Sequence, residues 1–217
     1  MAATQRQVVV AGASGLVGKR ILQGLLADRT VASVIALLRR PAQLKHPKLT
    51  TLLVEFRSLP TLPPVDEVYL ALGTTIKVAG SQSAFRAVDF DANLAVAKAA
   101  IDAGAGRCGL VSAMGADPGS KVFYSRIKGE LEEALASLPF DALVIARPSL
   151  LVGDRLELGQ PERRGETVGR IVGQLLGSIV PKNYRPITAS DVAAALLARV
   201  PAAKGRLVLA SGEMQSG

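Results

Sequence analysis

Gln7-Val-Val-Val-Ala11-Gly12-Ala-Ser-Gly15-Leu-Val-Gly18 is the stretch on which the reading of this 217-residue chain turns. Gln7–Ala11 is an apolar, β-branched run that reads as a strand, and Leu16–Arg29 has the apolar spacing of a helix. Glycines between a strand and a helix let the chain turn tightly. They also let backbone N–H groups approach an anion, which then rests on the positive end of the helix. Gly12, Ser14, Gly15, Leu16, Val17 and Gly18 are therefore assigned to a phosphate-bearing ligand, with a turn of purely structural duty as the alternative. The spacing is GxxGxxG, and three glycines alone would be a weak signal. Their place at the first strand-to-helix junction gives them meaning.

Outward from this turn, short apolar runs alternate with Ala- and Leu-rich amphipathic stretches. Strands are expected at Val34–Leu38, Thr50–Glu55, Glu67–Ala71, Arg107–Ser112, Ala142–Ala146 and Leu207–Ala210. Helices are expected at Ser83–Ala103, Phe123–Leu138 and Ala189–Arg199, the last capped by Thr188 or Ser190. The strands are near-continuous apolar runs, as strands buried on both faces should be, so the pattern predicts a parallel α/β sheet covered by helices on each side. The chain reads as a single domain, residues 1–217, with residues 150–186 as a small substrate-side insertion. Gly165, Gly169, Gly173 and Gly177, four apart, read as a close helix-packing stripe.

Apolar residues make up 49% of the chain, enough for a sizeable core, and 26 basic against 18 acidic residues leave a net charge of +8. That balance favours an anionic partner. Arg155, Arg163, Arg164 and Arg170 alternate with Glu157, Glu162 and Glu166, which reads as a solvated face and argues against a nucleic-acid stripe. Cys108 is the only cysteine and His46 the only histidine, which excludes an internal disulfide, a thiolate metal cluster and any two-histidine metal motif. No run reaches the roughly 18 apolar residues of a membrane span, and the N-terminus lacks a strongly basic leader, so cytoplasmic residence is the expectation.

The second strand ends in Leu38-Arg39-Arg40, and no acidic residue lies within Ala32–Gln43. An acid here would bond ribose hydroxyls, whereas arginine suits a 2′-phosphate through charge-assisted bonds. NADP(H) is thus the expected cofactor, with NAD(H) possible and solvent-facing arginines as the alternative. Tyr124-Ser-Arg-Ile-Lys128 puts a phenol and an ammonium on one helix face, after a strand that closes on Ser112. Reducing a carbonyl requires a proton donor at its oxygen. Tyr124 can donate, Lys128 would supply the positive charge that favours its phenolate, and Ser112 could orient the carbonyl. The alternative is a packed tyrosine whose hydroxyl finds water.

Together with Ala71-Leu-Gly-Thr74, Val88-Asp89, Asn93, Val111-Ser112 and Arg147-Pro148-Ser149, these motifs make the chain resemble the short-chain dehydrogenase/reductase superfamily, in its extended and atypical branches. Leu72-Gly-Thr-Thr, Gly115-Ala-Asp, Lys128-Gly-Glu and Phe140-Asp resemble the small NAD(P)-binding proteins related to TIP30. The resemblance implies a Rossmann-type doubly wound sheet with a short C-terminal substrate lobe. It also implies a dinucleotide near Leu72, Gly73, Thr74 and Pro148, and a Lys128 that holds the nicotinamide ribose. Ala113 and Met114 depart from the run of serines that related enzymes carry. The expected function is an NADP(H)-dependent oxidoreductase acting on a small carbonyl or alcohol. The rival is a non-catalytic NADP(H)-sensing protein with a protein partner, and the oligomeric state is left open.

Overall fold

The computed structural model describes residues 5–43, 45–152 and 181–215. Seven strands form one sheet: β1 (Arg6–Ala11), β2 (Val31–Leu38), β3 (Leu49–Leu53), β4 (Glu67–Leu70), β5 (Arg107–Val111), β6 (Ala142–Arg147) and β9 (Gly205–Ala210). Their order is β3-β2-β1-β4-β5-β6-β9 and every neighbouring pair is parallel. This is the doubly wound arrangement expected from the alternating pattern. The winding reverses between β1 and β4, and ligands of such sheets bind at the carboxyl ends of the strands beside that reversal.

The helices lie on both faces because each central strand buries both sets of side chains. Val8 and Val10 of β1 pack with Ile21 and Leu25 of α1 (Leu16–Ala27) and with Val192 and Leu196 of a C-terminal helix, Ala189–Arg199. Val9 and Ala11 point the other way, toward Val96 and Ala100 of Asn93–Asp102 and Leu131 and Leu135 of Phe123–Ala136. Thr188 caps the C-terminal helix as expected, its hydroxyl oxygen accepting from Asp191 N at 3.1 Å. Among the described residues no helix is long and apolar enough to cross a membrane.

One element departs from its reading. The continuous helix expected over Ser83–Ala103 is three segments, preceded by a short α2 (Ile76–Ala79): α3 (Gln82–Arg86), a π-helical turn over Ala87–Ala92, and α4 (Asn93–Asp102). The buried Asn93 amide donates to Val88 O at 3.4 Å and Asp89 O at 3.0 Å, and the wider turn brings both Asp89 and Asn93 inward. Among the described residues the remaining α-helices are α5 (Phe123–Ala136), α6 (Ala189–Arg199) and α7 (Ser211–Met214). Most of the insertion expected at 150–186, with its glycine stripe and its alternating charges, lies outside the described residues. At its two ends β7 (Leu151–Val152) pairs in parallel with β8 (Ile187–Thr188).

Candidate active site

The glycine turn sits at the reversal of the sheet. Gly12 adopts φ +89°, and a β-carbon there would overlap the carbonyl of Ala71, in the turn that follows β4. A β-carbon on Gly18 would overlap the carbonyl of Gly12. Gly15 is different: it is the N-cap of α1 in extended backbone, and a β-carbon would meet only Gly12 O, at 3.4 Å. No side chain caps α1 and no acidic residue stands in its first turn. First-turn N–H groups without side-chain partners, together with the helix dipole, favour an anion. The residues present therefore fit the pyrophosphate of a dinucleotide. Ser14 is exposed beside this turn, Leu16 is half-buried, and Val17 is buried in the core.

Leu72, Gly73 and Thr74 form the adjoining turn, and the π segment holds it. Asn93 Nδ2 donates to Leu72 O at 3.1 Å, and Thr74 N donates to Asp89 Oδ2 at 2.8 Å. The other oxygen, Asp89 Oδ1, stands 2.8 Å from Lys128 Nζ, and both side chains are at most 5% exposed. A β-carbon on Gly73 would meet Asp89 Oδ1 at 3.6 Å and Lys128 Nζ at 3.9 Å, so the turn lies beside the Lys128–Asp89 pair. An isolated buried ammonium is costly, and Asp89 makes its burial tolerable.

On α5, Tyr124, Lys128 and Glu132 repeat every fourth residue and so share one face. Tyr124 is the exposed end of the stripe, at 37%, and its ring leans on Phe85 of α3 with centroids 5.6 Å apart. Glu132 is the buried end. It accepts from Ser112 Oγ at 2.6 Å, and from Arg147 Nε and Nη2 at 3.0 and 2.6 Å in a forked pair. Those hydrogen bonds and the carboxylate charge raise the Arg147 pKa above its ordinary value. The one proton of Ser112 is thus committed to Glu132, and the serine oxygen presents lone pairs to any other partner.

Arg39 and Arg40 are exposed just past β2, and Pro148 is buried, its carbonyl accepting from Met114 N at 2.8 Å. Three participants were not assigned from the sequence: Asp89, Glu132 and Arg147. Glu132 did leave a signal, an acid at the spacing of the buried positions Ile127, Leu131 and Leu135. Asp89 stands in the sequence only within the Val88-Asp89 motif of the resemblance and carries no role there, because its inward aim depends on the π turn.

The NAD(P)H-binding family model matches residues 12–154. The protein fmp52, mitochondrial, of Emericella nidulans is 38% identical over 182 residues, covering 79% of this chain and 76% of that protein. Among solved structures, MoeE5 in complex with UDP-glucose and NAD superposes with a TM-score of 0.67 at 19% identity, covering 94% of this chain and 75% of that one. An oxidoreductase of the short chain dehydrogenase/reductase family from Burkholderia thailandensis gives 0.66 at 18%, covering 99% and 94%. These likenesses agree with the Rossmann-type sheet. The cytoplasmic expectation is overturned: the Emericella nidulans relative and further ones carry mitochondrial in their names.

Proposed function

The chain belongs to the NAD(P)H-binding family, and from that premise we propose that it is an oxidoreductase of the short-chain dehydrogenase/reductase type, interconverting a small carbonyl compound and its alcohol. The observation that carries this reading is the buried Lys128–Asp89 pair one helical turn from the half-open Tyr124. A reduced nicotinamide dinucleotide held by the glycine turn and Lys128 would supply hydride chemistry at the carbonyl carbon. The chain supplies the rest: Tyr124 gives its hydroxyl proton to the carbonyl oxygen, and the ammonium of Lys128 favours the phenolate left behind. Lys128 has three donors and spends one on Asp89, which leaves others for ribose hydroxyls. Ser112 can orient the substrate oxygen by turning its proton away from Glu132, whose carboxylate stays satisfied by the Arg147 fork. Within the superfamily we place the chain with the TIP30-related proteins, on the Leu72–Thr75 and Gly115–Asp117 stretches.

Tyr124→Phe tests the assignment. Turnover of aldehydes, ketones or quinones should fall by about 100-fold or more, the scale of a lost general acid, with dinucleotide affinity unchanged. Undiminished turnover in the variant would remove Tyr124 from the chemistry. NADPH should bind at least about tenfold more tightly than NADH, a difference of about 1.4 kcal/mol, because Arg39 and Arg40 stand exposed past β2. Replacing both by Ala should erase the difference, and equal binding by the unmodified protein would refute it. One feature favours a second reading, a dinucleotide-sensing protein without turnover: Ser112 is engaged by Glu132, and Ala113 and Met114 rather than further serines follow it directly. Tight dinucleotide binding with no turnover across the carbonyl panel would select that reading.

A further inference from the structure

The two edges of the sheet have opposite surfaces. At the amino edge, Asp28, Asp66 and Asp141 precede strands, and Arg6 bridges Asp28 and Glu67 at 2.7 Å each. At the carboxyl edge stand all eight of the exposed large apolar side chains among the described residues. Leu53 ends β3, and the other seven follow β4, β5 and β6 or lie in the turn beside β8. Single exposed apolar residues are ordinary on a protein surface. Their gathering at one edge marks a binding surface.

Tyr124 is one of the seven, and the segments that carry the others follow strand ends on this same side or lie beside β8. Val78 stands on α2, next to α3, which carries the Phe85 ring under Tyr124. Val122 immediately precedes α5. Met114 is tied to Pro148 by its backbone N–H, and Leu150 to β8 through the bond from Ile187 N at 3.0 Å. Tyr184, 65% exposed, precedes β8 in the same turn. The apolar rim therefore lies at the same edge of the sheet as the residue placed at the reacting oxygen.

We infer that this rim receives the body of an apolar substrate, an aliphatic or aromatic carbonyl compound or alcohol without a nucleotide handle, whose oxygen meets Tyr124. The inference rests on the oxidoreductase reading and deepens it. Valine, leucine and methionine offer nothing to sugar hydroxyls, which would lose water and gain no partner, whereas an alkyl chain gains by leaving water. Each methylene sheltered from water is worth about fourfold in an equilibrium or in kcat/KM.

The test has two arms on the dinucleotide-loaded protein. In the first, kcat/KM is followed along straight-chain aldehydes from butanal to dodecanal. In the second, the affinity of the matching alcohols is measured by calorimetry, which needs no turnover. Both should rise about threefold to fourfold per methylene until the rim is filled. Met114→Ser and Leu150→Ser, at exposed positions, should each flatten the rise and lower kcat/KM for decanal about tenfold while sparing butanal. Leu53→Ser, at the end of the outermost strand β3, should leave the rise intact. A flat response in both arms, or preferred turnover of a UDP-sugar, overturns the rim assignment while butanal turnover leaves the oxidoreductase reading standing. A rise in alcohol affinity with no aldehyde turnover supports the rim and removes the chemistry instead.

Discussion

A methyl group placed on Gly12, Gly15 or Gly18 would meet three different surroundings. On Gly12 it would demand φ +89° of an L-residue and overlap the Ala71 carbonyl, and on Gly18 it would strike the Gly12 carbonyl. On Gly15 it would have room, but it would stand at the open end of α1 where a phosphate meets backbone N–H groups. The two outer glycines hold the turn against its neighbours, and the middle one keeps the ligand's approach clear. Gly15→Ala should therefore fold, with a loss of about 1 kcal/mol for the poorer N-cap, and should bind dinucleotide at least about tenfold more weakly. Gly12→Ala should lower the melting temperature far more. Calorimetric affinity and thermal melts on the two variants check the contrast. Unchanged affinity in Gly15→Ala would place the pyrophosphate elsewhere.

Helix α5 carries Tyr124, Lys128 and Glu132 on one face, and its depth is set from another. A β-carbon on Gly129 would collide with the backbone of Asp117 and Pro118, so the helix lies against that loop as closely as a backbone can. Gly129→Ala must push the two apart, a form of overpacking that costs about 1–3 kcal/mol. The Tyr124–Lys128 pair moves with the helix, and displacements near 1 Å can cost about 100-fold in rate. Turnover measured well below the variant's melting temperature should fall at least about tenfold, and wild-type turnover there would show that the pair tolerates the shift. The sheet and α5 could be read from the chain because runs such as Val8–Val10 and Leu143–Ile145 are apolar at every position, and because Tyr124 and Lys128 keep helical spacing. The π turn at Ala87–Ala92 could not. A window counted at 3.6 residues per turn passes over one wider turn, and with it the inward aim of Asp89 toward Lys128. The Ser112–Glu132–Arg147 contact joins residues 20 and 15 positions apart, just past β5, on α5 and on β6, so only the folded sheet reveals it.

At the scale of the whole molecule, a polar amino edge and an apolar carboxyl edge are separated by a core layer on each face of the sheet. In the layer under α4 and α5 lies Cys108, on β5, with no exposed surface and a thiol whose pKa burial pushes up. It is the only cysteine in the chain. A sulfhydryl so enclosed is inert toward an aromatic disulfide reagent until the sheet itself opens, so each labelling event counts one excursion out of the native state. The protein thus contains its own stopwatch. Any ligand that binds only the closed form should slow that stopwatch by the factor 1 + [L]/Kd, provided reclosing outruns labelling. Dinucleotide titrated against the labelling rate should then yield a dissociation constant with no substrate in hand. A rate indifferent to saturating dinucleotide would mean that Cys108 is reached through a local breach that leaves the glycine turn intact.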